Sequence, residues 1–293
     1  MSYEAKFSGW SHLTVDDLII AYRKAKADCF FENTFPTASK FAKYEQNLQL
    51  NLEKLLKDIK RDKGFSKDEK YLGEFRIIPK KLTATPKPDS CDGHVHFSSP
   101  TRAFKHLTTN KVLKPEFRII GDFPVESHII SALWINTIGH KFDACLSESC
   151  YGARLKRISK DDELDKNAQK SFHISSIGSF VPYFQPYQKW RNDGMQAIRG
   201  ELEKERNIIA VSLDLKSYYH LIDPSFISSN SLHSTLGVEL SKDELVFTDE
   251  LAKFLDSWSL KAKIFVKSTI HGKLDIAGGL VIGLTASRII SNV

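Results

Sequence analysis

The chain has 293 residues, 41% hydrophobic and 27% charged, with a net charge of +6. That is enough apolar material for one large core or two smaller ones, and no run approaches the roughly 18 apolar residues of a membrane span. Cys29, Cys91, Cys145 and Cys150 have neither metal nor disulfide spacing, which suits a reducing cytoplasm, and the acidic Asp16-Asp17 near the start speaks against a signal peptide. The basic balance is compatible with a nucleic-acid partner without requiring one.

Thr14-Val15-Asp16-Asp17 combines a capping residue with an acidic first turn and predicts a helix to about Phe31, with Leu18, Ile19, Tyr22, Ala25 and Cys29 at helical spacing. A second helix is expected from Thr37 or Ser39, striped by Phe41, Tyr44, Leu48, Leu52, Leu55, Leu56 and Ile59 and ending in basic Lys57, Lys60, Arg61 and Lys63. Lys80–Pro100 is rich in Pro, Ser and Lys and predicts an exposed loop. Within it, His94 and His96 form a His-x-His pair of the kind that chelates zinc on a strand. A metal-dependent hydrolase would need further ligands, for which His106, His128, His140, His173, His220, His233 and His271 are available, but no βα periodicity frames them.

Val125–Phe142 reads as a helix with Ile129, Ile130, Leu133, Trp134 and Ile138 on one face, and Asp161–Lys170 as a charged, solvated interruption. Trp190–Leu202 reads as a further helix. Ile208–Leu213 is aliphatic and β-branched, and predicts a buried strand that delivers Asp214 to its end, followed by Tyr218 and Tyr219. A carboxylate at a strand edge, beside backbone carbonyls, is a good place for a hard divalent cation, and a turn or cap residue is the plainer alternative. Phe247–Trp258 predicts a packed helix. Gly278–Arg288 is glycine-rich and runs into a short apolar helix that Thr285 or Ser287 would cap. Helices alternating with short apolar strands argue for α+β or α/β, not a repeat protein or coiled coil.

Four blocks occur in order: FRIIGDFP with SESCYGARLKR, then WRNDGMQAIRGEL, then VSLDLKSYYHLID, then GGLVIGLTASRIISN. In that order and spacing they resemble the fingers, the lead into the palm, motif A and motif B of bacterial reverse transcriptases. The resemblance covers Glu116 to Val293. The form Gly279-Leu280-x-x-Gly283-x-x-x-Ser287-Arg288 looks most like the antiphage, defence-associated lineage, although Val281 stands where proline is common.

The resemblance implies an α+β right-hand polymerase: an N-terminal helical region over 1–75, fingers over 76–205 and a partial palm over 206–293. The implied activity is RNA-directed DNA synthesis, with magnesium as cofactor and an RNA template, a DNA product and deoxynucleoside triphosphates as partners. A non-coding RNA or a second defence protein is a further candidate partner, and no membrane is involved. Asp214 and the Leu215 carbonyl would hold metal. Arg118, with Lys114, would grip the triphosphate, and Tyr219 would pack beneath the sugar, while Tyr218, of opposite strand parity, would pack in the core. Lys189 and Arg191 would meet template–primer phosphates, and Gly279 and Gly283 would let the template pass close to the chain. The family's motif C, a tyrosine-x-Asp-Asp hairpin carrying the remaining carboxylates, should follow motif B and is not found; Asp161-Asp162 precedes motif A and cannot replace it. The chain is therefore expected to be a truncated polymerase, with a non-catalytic RNA-binding or polymerase-partner protein as the alternative and the metal hydrolase a distant third.

Overall fold

A computed structural model describes residues 6–31, 37–84, 99–102, 105, 113–158, 171–215, 218–269 and 279–293. The chain divides into a larger unit, formed by the residues up to Glu74 and from Gly121 onward, and a smaller one, Phe75–Ile120. The smaller unit is built on a two-stranded sheet of β1 (Glu74–Ala84) and β2 (Leu113–Asp122). β1 thus takes the first residues of the expected Lys80–Pro100 loop into a strand, and the rest of that loop, with His94 and His96, lies outside the described residues up to residue 98.

The larger unit is mainly helical. It contains α1 (Val15–Phe31), α2 (Thr37–Glu45), α3 (Leu48–Asp62), α4 (Val125–Trp134), a π-helical stretch Ile135–Gly139 and α5 (His140–Cys145). After a small antiparallel pair, β3 (Arg157–Ile158) with β4 (Ser171–Phe172), come α6 (Phe184–Leu202), α7 (Tyr218–Leu221), α8 (Asn230–Leu236), α9 (Lys242–Thr269) and α10 (Thr285–Ile290). The charged segment Asp161–Lys170 lies outside the described residues.

α1 starts where the sequence places it. Thr14 Oγ1 accepts from the Asp17 N–H at 3.2 Å, and the Asp17 carboxylate accepts from the Thr14 N–H at 2.9 Å, a reciprocal capping box. The second predicted helix is two. Asn47 leaves the helical region at φ −135°, and Asn51 Nδ2 donates to the Tyr44 carbonyl at 2.9 Å beside the Asn47 N–H at 3.4 Å. Short polar side chains compete with the backbone in this way and favour helix ends over interiors.

The core surrounds α4 and its π-helical extension, whose residues from Ser127 to Gly139 are all buried. α1, α2, α9 and α10 pack against it. Gly139 is small because the Trp134 ring fills the space a side chain would need, 2.7 Å from an ideal Cβ. A second apolar cluster joins Trp10, Phe65 and Phe247 to Phe254, with Trp10 and Phe247 4.8 Å apart. Glu250 ties this cluster down by accepting from the Phe65 and Ser66 N–H groups, both at 3.2 Å.

The expected strand Ile208–Leu213 is not formed. The segment has no regular structure, and Ile209 is 92% exposed and Leu213 88%. A strand needs a neighbour for its backbone N–H and C=O groups. Neither described sheet contains this segment. The aliphatic, β-branched run gave it strand character but supplied no partner.

Cys29 Sγ lies 3.3 Å from His128 Nδ1, and both side chains are buried. Burial pushes the thiol up to about 12 and the imidazole down to about 4. The pair is therefore neutral and not a poised nucleophile. It has a consequence for stability. The unfolded chain protonates this imidazole near 6.5, the folded one only near 4, so the folded state loses stability as pH falls through that window. At pH 5 the loss is about 2 kcal/mol. Denaturant titrations at pH 7 and pH 5 should show it, and His128→Gln should abolish this part of the decline. An unchanged pH slope in the variant would contradict the assignment.

Candidate functional site

The blocks that resemble motifs A and B meet. The Leu280 N–H donates to the Tyr219 carbonyl at 2.7 Å, Tyr218 Oη donates to the Ser291 carbonyl at 2.6 Å, and Ser291 Oγ donates to Tyr219 Oη at 3.1 Å. Gly279 joins them most tightly. Its φ is +136°, and a Cβ there would lie 2.5 Å from both the Tyr219 carbonyl oxygen and the His220 carbonyl carbon. Its N–H is held by Ser259 Oγ at 2.9 Å, from α9. Only glycine takes this conformation without strain and leaves room for the facing backbone. Behind the junction, Ser131 Oγ accepts from the Ala286 N–H at 2.8 Å and bonds the Thr285 hydroxyl, fixing the start of α10 on α4.

Two expectations change. Tyr218 and Tyr219 lie on a helical turn, so strand parity does not sort them. Tyr218 is the more exposed, at 39%, and does not pack in the core, while Tyr219 is partly buried, which raises its hydroxyl pKa. Gly279 is buried, and the backbone that approaches it is the chain's own Tyr219–His220. Gly283 also needs glycine, with φ +113°.

Asp214 and Leu215 fall in the exposed irregular segment. Among the described residues no group of three or more His, Cys, Asp or Glu side chains gathers to hold a metal ion. A lone exposed carboxylate with one neighbouring carbonyl does not fit a clamp for two magnesium ions, which calls for several charged oxygens at fixed positions. Arg118 lies on β2 and is partly buried; Lys114 is on the same strand, its side chain outside the described residues. Both belong to the smaller unit, and Asp214 and Tyr219 to the larger.

Lys189 and Arg191 are exposed on α6. Lys189 is already engaged, paired with Asp193 and lying 5.3 Å over the Tyr151 ring, and Tyr151 Oη donates to Asp193 at 2.8 Å. No residue of α6 is buried. The helix presents Tyr187, Trp190, Met195 and Leu202 to solvent, with Tyr183 and Phe184 at its start. The sequence places a helix over Trp190–Leu202; the structure starts it at Phe184 and leaves its aromatic residues facing outward.

Sequence reasoning also missed a buried carboxylate. Asp143 is fully buried and receives Arg154 Nε at 3.1 Å, Arg157 Nη2 at 2.6 Å and the Leu155 N–H at 3.2 Å. Arg154 also donates to the Asp143, Ser147 and Cys150 carbonyls. The SESCYGARLKR block is held by this network.

No helix among the described residues is long and apolar enough to cross a membrane. No known protein family, curated protein or solved structure matches the chain.

Gly279→Ala should destabilise the fold by about 3 kcal/mol through positive φ and backbone overlap. Gly194→Ala, on α6 with open space around it, should stabilise by roughly 0.5–1 kcal/mol. Equal effects in chemical denaturation would contradict the close packing of Gly279 on Tyr219.

Proposed function

We propose that the chain is the fingers and partial palm of an RNA-directed DNA polymerase of the bacterial antiphage type. Its partners are an RNA template, a DNA product and deoxynucleoside triphosphates. The observation that carries this reading is the junction of the two palm blocks. They were singled out separately in the sequence, and Tyr218 and Tyr219 reach across 73 and 72 residues to the same Ser291. Within the smaller unit Arg118 offers a forked guanidinium suited to triphosphate oxygens, and within the larger unit Tyr219 is fixed at its hydroxyl and carbonyl. Magnesium belongs to the family's complete reaction; the described residues do not assemble its site, and no step is derived through it.

A second observation supports contact with nucleic acid in particular. Tyr183, Phe184, Tyr187 and Trp190 stand exposed around Lys189 and Arg191. Aromatic faces interleaved with cations suit single strands, on which bases stack while cations meet phosphates. The same surface would serve a non-catalytic RNA-binding protein, so chemistry separates the two readings.

Labelled single-stranded RNA should bind the chain in fluorescence anisotropy, weakening steeply between about 50 and 200 mM salt. Arg191→Ala should cost more affinity than Lys189→Ala, because Asp193 already neutralises Lys189. Trp190→Ala should cost roughly fivefold or more if bases stack there. Arg118→Ala should weaken triphosphate binding and leave RNA binding intact. Salt-insensitive binding would contradict a phosphate-dominated contact, and equal losses at Arg118 and Arg191 would contradict the division of labour.

These 293 residues carry Asp214 but no Tyr-x-Asp-Asp block, so on a primed template with magnesium they should incorporate no nucleotide. Incorporation abolished by Asp214→Asn would show that this single carboxylate suffices. A template-bound chain that never takes up a triphosphate would favour the non-catalytic reading.

A further inference from the structure

Residues 207–215 make no backbone hydrogen bond to any described residue, yet they alternate as a strand does. Ile209, Val211 and Leu213 share one face and stand 92%, 73% and 88% exposed. Ile208, Ala210, Ser212 and Asp214 share the other. No proline or lysine interrupts 206–214, the devices by which exposed strand edges are ordinarily blunted. A row of open donors and acceptors flanked by unprotected aliphatic side chains is a template for another strand.

We propose that this segment forms an antiparallel two-stranded ribbon with the same segment of a second copy of the chain, in a two-fold symmetric dimer centred on Ala210. Charge sets the register. Centred on Ala210, pairing places Arg206 of each copy opposite Asp214 of the other, Ile208 opposite Ser212 and Ile209 opposite Val211. Centred one residue later, on Val211, it would place Ile208 opposite Asp214 and lose the ion pair. The monomer fixes which pairs carry hydrogen bonds. The Arg206 N–H is already given to the Glu201 carbonyl at 3.1 Å. The bonded pairs are therefore 207 with 213 and 209 with 211, and 206 with 214 is a non-bonded pair, where side chains across an antiparallel ladder come closest.

The Arg206 guanidinium is bonded to Glu201 at 2.8 Å in the monomer, but the pair is exposed at 65% and 39%. Such surface pairs exchange partners at little cost. A two-fold axis repeats every contact, so both ion pairs and both Ile209–Val211 contacts form together and the assembly closes at two. In this dimer Asp214 answers an arginine and not a metal ion. The dimer does not rest on the polymerase reading and stands or falls separately from it.

Sedimentation velocity over a range of protein concentrations tests it, with the parent chain, Arg206→Glu, Asp214→Arg and the double variant Arg206→Glu/Asp214→Arg. All the changes are at exposed positions, and circular dichroism verifies that the fold is retained. The parent should form a dimer. Each single variant sets like charges opposite each other twice and should raise the dissociation constant at least about tenfold. The double variant restores opposite charges and should return to within about threefold of the parent. A parent that stays monomeric, a dimer insensitive to the single changes, a double variant no better than the singles, or assemblies larger than two would each overturn the proposal.

Discussion

A helix that is buried around its whole circumference must be surrounded, and the helix from Val125 through the π-helical stretch is such a helix. The elements that meet the candidate site are arranged around it: α1 along one side, α9 along another, and α10 against its middle. Several of its polar side chains bond to those neighbours. Ser131 bonds the start of α10, His128 bonds Cys29 of α1, and Trp134 Nε1 donates to Thr248 of α9 at 3.2 Å. Thr137 turns back to the Leu133 carbonyl at 2.8 Å within the π-helical region. The position of Gly279 and Leu280 against Tyr219 follows from this arrangement, because α9 and α10 flank the glycine segment on either side.

Charge plays a second organising part, through single buried groups that gather loops. Asp143 draws two arginines and the loop between them onto the end of α5. Lys24 does the converse from α1: its ammonium donates to the His173 and Gly178 carbonyls, both at 2.9 Å, and to Ser176 Oγ at 2.7 Å. Burial lowers it to about 8. Asp28, one turn further on, accepts the Ser179 N–H at 2.7 Å. The segment between β4 and α6 is thus fastened to the first helix by a buried cation and a buried carboxylate oxygen.

The parts legible in the sequence were those with local causes. The capping box at Thr14, the stripe of α1, the helix beginning at Val125 and the Phe247–Trp258 part of the longer α9 all follow from spacing that neighbouring residues enforce. The need for glycine at 279 was legible as a pattern, but its cause, a backbone approach from Tyr219 and His220, required tertiary structure. The Cys29–His128 pair spans 99 residues and Asp28–Ser179 spans 151, and no local pattern signals either. The segment Ile208–Leu213 failed as a predicted strand for a different reason. An aliphatic, β-branched run favours an extended chain, but strand formation also needs a paired backbone, and that is a property of the neighbour. The outward stripe of α6 is the same lesson in a helix: Tyr151 anchors the polar side through Asp193, which leaves the aromatic side to solvent.

The proposed polymerase reading rests on one physical assertion, that the junction of Tyr219 with Gly279 and Ser291 forms the floor of a nucleotide site. Photo-crosslinking of an azido-deoxyadenosine triphosphate to the chain, followed by mass spectrometric mapping of the adduct, tests it directly. The adduct should map to peptides containing Tyr218–Leu221 or Gly279–Ser291, and excess unlabelled deoxynucleoside triphosphate should suppress it. A saturable adduct confined to other segments, or none that unlabelled nucleotide displaces, would contradict a nucleotide site at this junction.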